Sequence, residues 1–193
     1  MFLLFRALAL TASLMLISEF TTSASAATYE SFKTGRLKGK LIVQWLAPDE
    51  FLFLPDKDSP LTFTRSNGDT ITPGRMFTDG GSIPRPLWIF RNYSPWGYAP
   101  AFIVHDWLFH AHHCKLAGFD NYTHESAADV LAEVMKTMME TKVVDRAELS
   151  LLSIHAAVDS RVAEGYWRDG KCVPPPPGLA GKKPIAEFEL VFP

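Results

Sequence analysis

Between Ile83 and Tyr98 the chain is barred from regular structure, because Pro84, Pro86 and Pro95 each fix φ and remove a backbone donor. The same stretch carries Trp88, Phe90, Tyr93 and Trp96, side chains that need burial, so this loop is expected to pack back onto the domain. The sequence before it reads as strands. Leu41–Leu46 is an apolar run, Asp49–Leu54 follows a turn at Pro48, and Leu61-Thr62-Phe63-Thr64 alternates apolar with polar. Ser66-Asn67-Gly68-Asp69 is a hairpin turn, since Asn and Gly tolerate positive φ, and Thr70-Ile71-Thr72 is the returning strand. Pro73-Gly74 ends that strand, and Arg75-Met76-Phe77 leads into Thr78-Asp79-Gly80-Gly81-Ser82.

The sequence after the loop has the period of helices. The first is expected over Ala101 to about His113, with Pro100 at its first position. A second runs from His124 to Thr141, with Ala127, Leu131, Val134 and Met138 as its apolar stripe and Glu125 in its first turn. A third starts at Asp145, with Glu148 completing a capping box, and runs to about Ala163. The expected fold class is α+β: a small antiparallel sheet of hairpins, then a three-helix C-terminal half. Residues 174–184 form a linker stiffened by Pro174–Pro177, and the tail 185–193 is expected to add an edge strand over Ile185–Phe192.

With 193 residues, 47% of them hydrophobic and 21% charged, the chain suits one folded domain, here 27–173. A formal net charge of -2 and the lack of any polybasic run argue against nucleic acid or anionic lipid as a charge-driven partner. Residues 1–26 read as a signal peptide: Arg6 gives a positive start, Ala7–Ile17 is an apolar run too short to span a bilayer, and Ala24-Ser25-Ala26 is a small-residue cleavage site. No transmembrane segment is expected in the mature chain, and a periplasmic or secreted location follows. Export makes a disulfide the favoured reading of Cys114 and Cys172, with stabilisation of about 4 kcal/mol from closing the loop between them.

Three polar pieces draw attention: the loop Thr78–Ser82, the pair His105-Asp106, and Asp129. Neighbours on one helix project about 100° apart, so His105 and Asp106 cannot stack on one face but can line two sides of a pocket mouth. Phe102, Ile103, Val104, Trp107, Leu108 and Phe109 surround them, so both need partners. Two readings are open. Asp106 pairs with Arg85, Arg91 or the Gly80-Gly81 amides, and His105 is a satisfied core histidine. Alternatively, loop, imidazole and carboxylate form a site. On a helical projection Asp129 shares a side with Glu133, Lys136 and Glu140, which predicts a solvated face. His110, His112 and His113 lack a recognised zinc spacing and read as an exposed helix end. Ser82 lacks a nucleophile elbow, and Gly80-Gly81 lacks the lysine and helix of a phosphate cradle.

Ile71–Arg85, Pro95-Trp96-Gly97, Ala101–Phe109 and Ala128-Asp129 together resemble the successive blocks of the bacterial and phage domain-of-unknown-function family 1353, over roughly Leu61–Gly165. That resemblance implies a fold neighbourhood and no established activity. The chain departs from the family at Gly80-Gly81 and adds a leader and a C-terminal tail. Ala101–Phe109 is also similar to the active-site helix of the phospholipase A₂ superfamily, where a His-Asp pair precedes an aromatic. This second resemblance implies a hydrolase in which His105 takes a proton from water attacking an ester and Asp129 holds the histidine tautomer. Asp106, Asp79 and Gly80 would then hold calcium, with a lipid or cell-envelope component as ligand. The other reading is a non-catalytic envelope or phage-derived structural or interaction module whose His-Asp network is structural.

Overall fold

The sheet is assembled on β1 (Arg36–Ala47), where Leu37, Leu41 and Val43 are buried and Lys38 and Lys40 alternate with them towards solvent. The computed structural model describes residues 27–48, 50–78, 95–174 and 183–193. β2 (Glu50–Pro55) returns along one edge of β1, and β5 (Met76–Thr78) lies beyond it. The other edge of β1 is shared. β3 (Thr62–Thr64) pairs with Arg36–Lys38, and β6 (Ala186–Phe192) pairs with Gly39–Trp45, so the expected C-terminal edge strand is part of this sheet. All of these pairings are antiparallel. Gly39 marks the changeover: its φ is +91°, and a Cβ there would sit 2.1 Å from the Pro60 carbonyl oxygen, so no other residue fits without displacing backbone. β4 (Thr70–Ile71) closes the expected hairpin with β3. Gly68 has a φ of +95°, and the Asn67 side chain accepts from the Asp69 amide at 3.0 Å.

The helices cover one side of this sheet. A short 3₁₀ turn over Pro95–Tyr98 leads into α1 (Ala99–His113), which is buried along Ala99–Leu108 apart from Asp106. α2 (His124–Glu140) starts with a capping box: Thr123 Oγ1 accepts from the Ser126 amide at 3.2 Å, and Ser126 Oγ accepts from the Thr123 amide at 2.7 Å. Its expected stripe, Ala127, Leu131, Val134 and Met138, is buried. The expected third helix is two helices. α3 (Glu148–Val158) starts after Ala147 with no side-chain cap, and the chain breaks at Asp159-Ser160. Ser160 Oγ then caps α4 (Arg161–Asp169) by accepting from the Ala163 amide. A serine that finds a free amide three residues on starts a new helix more readily than it continues the old one. The α+β class stands, with four α-helices among the described residues of the C-terminal half.

The polar side of α2 is solvated at Asp129 and Glu140, as its projection predicts, but not between them. Glu133 and Lys136 are 7% and 8% exposed. Arg65, next to the β3–β4 turn, donates from Nε to Glu133 Oε2 at 2.8 Å and from Nη2 to Oε1 at 2.9 Å. Lys136 Nζ donates to the carbonyls of Tyr29 and Phe32 at 3.0 and 2.9 Å, and stands 4.6 Å from the centre of the Tyr29 ring. Gly35 donates its amide to Thr137 Oγ1 at 2.8 Å. These partners come from the N-terminal segment and the sheet, so the polar side of α2 is a docking surface for both. The expected leader, most of the proline-aromatic loop and most of the linker lie outside the described residues.

Removing one member of a buried, bidentate pair strands the other, at a cost of about 3 kcal/mol. Glu133→Ala should therefore lower the unfolding free energy in urea by about that amount. Asp129→Ala, on the same helix with a half-exposed carboxylate, should change it by about 0.5 kcal/mol or less. Equal losses would show that the Arg65–Glu133 pair does not hold α2 to the sheet.

Candidate functional site

The site begins with the roughly 100° between neighbours on α1. His105 turns inward towards α2 and Asp106 turns towards β5. His105 is 6% exposed, and its Nδ1 lies 3.1 Å from the Ala127 carbonyl oxygen in the first turn of α2. A carbonyl only accepts, so Nδ1 carries the proton and Nε2 is the basic nitrogen. Nε2 has no hydrogen-bond partner among the described residues. The ring packs against Phe109 with centroids 4.9 Å apart. Burial pushes the His105 pKa down to about 4, the hydrogen bond to Ala127 opposes that, and nearby His124 and His155 push it further down. The imidazole is thus neutral at neutral pH.

Asp106 Oδ2 accepts from Thr78 Oγ1 at 2.7 Å, which ties α1 to the last residue of β5. Trp107 fills the space above Gly74, where a Cβ would lie 2.6 Å from the indole. Its Nε1 is buried with no partner among the described residues. Asp79 and Gly80, expected beside Asp106 as calcium ligands, lie outside the described residues, as do Gly81 and Ser82. No group of three or more His, Cys, Asp or Glu able to hold a metal occurs among the described residues.

Asp129 is not brought to His105. Its Oδ1 lies 3.1 Å from Nε2 of His155 on α3, at the half-exposed edge of α2. His155 packs edge-on against Phe32, with centroids 4.7 Å apart. His124, at the start of α2, has Nε2 2.8 Å from the Val158 carbonyl oxygen at the end of α3. His105, His124 and His155 thus each bridge two helices. Sequence reasoning missed the last two; His155 lies on a helical stretch among apolar residues, as His105 does, whereas His124 stands among polar ones at the start of α2. The expected exposed cluster at the end of α1 is a further contact surface. His112 stacks on Trp167 of α4 at 4.1 Å, and His113 Nε2 lies 3.1 and 3.0 Å from the carbonyl oxygens of Tyr166 and Trp167. Beside it the Cys114–Cys172 disulfide is formed, across a separation of 58 residues.

Residues 58–151 match the family described as protein of unknown function (DUF1353). Over that segment, just under half of its length, the chain is similar to the DUF1353 family. The DUF1353 segment includes Thr78, His105, Asp106, Cys114 and Asp129, and ends within α3. It therefore stops short of His155, of α4 and of Cys172, and it begins after β1 and β2. No curated protein and no solved structure matches the chain.

The low pKa of His105 has a consequence for stability. The folded value, about 4, lies below the usual histidine value near 6.5, so neutral His105 contributes stability that is complete above about pH 6.5 and lost as pH falls towards 4. The loss should be about 3 kcal/mol in urea unfolding, and His105→Gln should flatten that part of the pH profile. A profile with the same slope in the variant would contradict this. In a double-mutant cycle Asp129→Asn should couple with His155→Gln by about 0.5–1 kcal/mol and add independently to His105→Gln.

Proposed function

We propose that this DUF1353-like protein is an exported structural or interaction module of the cell envelope or of phage origin, in which the His-Asp pair locks the fold and performs no catalysis. One observation carries this reading. His105, Asp106 and Asp129 each have a separate partner within the fold, namely Ala127, Thr78 and His155, and none of the three is bonded to another. Catalytic groups work as connected units, in which the base is oriented by a third group. Here each group instead joins two elements: α1 to α2, α1 to β5, and α2 to α3. A disulfide, together with described helices none of which is long and apolar enough to cross a membrane, fits an exported protein.

A second reading, a secreted hydrolase using His105, is favoured by one feature. The bond from Nδ1 to Ala127 leaves Nε2 as the proton-accepting nitrogen, which is the tautomer that a general base requires. In that reading the backbone carbonyl of Ala127, not Asp129, orients the ring.

The two readings separate on His105→Ala. As a structural strut, its loss removes a buried hydrogen bond and leaves a cavity, so unfolding free energy should fall by about 2–4 kcal/mol. Neither the natural protein nor the variant should then hydrolyse ester, amide or glycan panels. Hydrolysis by the natural protein that a still-folded variant has lost would establish the hydrolase. Calcium gives an independent check. The module reading expects a melting temperature that does not change with millimolar calcium, whereas a rise removed by Asp106→Asn would favour the hydrolase.

A further inference from the structure

α4 is held to the body by few groups, and they are concentrated at its C-terminal end. Trp167 is its one buried side chain, while Val162 and Tyr166 on the same helix are 70% and 65% exposed. Trp167 meets Phe109 edge-on with centroids 4.9 Å apart and stacks on His112. His113 donates to the last carbonyls of the helix, and Gly170 lies so close to the His113 ring that a Cβ there would clash. Two residues further on, Cys172 is bonded to Cys114, at the C-cap of α1. The contacts also form a line into the protein: Trp167 lies on Phe109, and Phe109 lies on His105, again at 4.9 Å.

We propose that the Cys114–Cys172 disulfide is a redox catch that holds α4 over Phe109 and keeps His105 covered, and that its reduction lets α4 swing away and opens His105 to solvent. This goes beyond the function proposed above and stands whether or not His105 is catalytic. Cys172 is exposed, so a small dithiol can reach it. One thiolate attacks the Cys172 sulfur, the protein S–S bond breaks, and Cys114 leaves as a thiolate. The second thiol then attacks the mixed disulfide and releases Cys172. The dithiol departs as a cyclic disulfide, having supplied two electrons and two protons, and the protein holds two thiols. The rest of the fold does not depend on α4. The core is built from the sheet, α1, α2, Leu151 and Ile154 of α3, and Tyr29 and Phe32 of the N-terminal segment, and α4 adds Trp167 alone to it. Elements held by so few buried groups open at the low end of the stability range, without the core.

The test is diethyl pyrocarbonate labelling of neutral imidazoles in the full chain, read residue by residue by mass spectrometry, with amide hydrogen exchange run alongside. After dithiothreitol, and in the Cys114→Ser/Cys172→Ser variant, labelling of His105 should speed up at least tenfold. Amides of Arg161–Asp169 should lose protection while those of Leu41 and Val43 in β1 keep theirs. Trp167→Ala, with the disulfide intact, should speed labelling of His105 in the same way. Unchanged labelling of His105 in the reduced chain or in Trp167→Ala would overturn the proposal. So would a simultaneous loss of protection in β1, because the bond would then be a staple for the whole fold.

Discussion

The hydrogen bond from His105 to the Ala127 carbonyl fixes how α1 lies against α2, and much else follows from it. α1 is buried on nearly every side, so an ionisable group within it must be neutral or satisfied. His105 is both, and the bond also determines which ring nitrogen carries the proton. With that side of α1 turned to α2, Asp106 is carried round to β5, where Thr78 meets it. The His-Asp pair therefore works as two struts that leave one helix in different directions.

α2 is the element on which the other layers converge, and its polar residues do as much of this as its apolar stripe. Arg65 reaches Glu133 from the sheet, and the backbone of Tyr29 and Phe32 wraps the Lys136 ammonium from the N-terminal side. Tyr29 adds its own hydroxyl to Glu140 at 2.7 Å. His124 and Asp129 then connect the same helix to α3. Burying two charged side chains on one helix is tolerable because each is matched by fixed partners that leave little of it unsatisfied.

Much of this architecture was legible in the residues. The apolar run Leu41–Leu46 marked the second half of β1, the segment after Pro48 marked β2, alternation marked β3, Asn67-Gly68 marked the hairpin of β3 and β4, the spacing of Ala127, Leu131, Val134 and Met138 marked the buried stripe of α2, and the apolar tail marked β6. Those signals are local, with periods of two or of 3.6 residues. What was not legible is what stands opposite a side chain. A projection gives the direction of Glu133, Lys136 and Asp129 but not the arrival of Arg65, 68 residues away, or of the Tyr29 carbonyl, 107 residues away. For the same reason the carboxylate expected at His105 is found at His155, and of the histidines expected at an exposed helix end His112, though exposed, and His113 also touch α4. The break between α3 and α4 was hidden because Ser160 looks like an ordinary helix residue until its hydroxyl is seen to cap the Ala163 amide.

The most direct test of the account is the tautomer of His105 in the folded protein at neutral pH, read from the ring nitrogens by two-bond proton–nitrogen correlation spectra. The structure requires a proton on Nδ1, where the Ala127 carbonyl accepts it, and a bare Nε2. A proton on Nε2 would mean that α1 is not tied to α2 at this point, and the account of the His-Asp pair as two struts would fail.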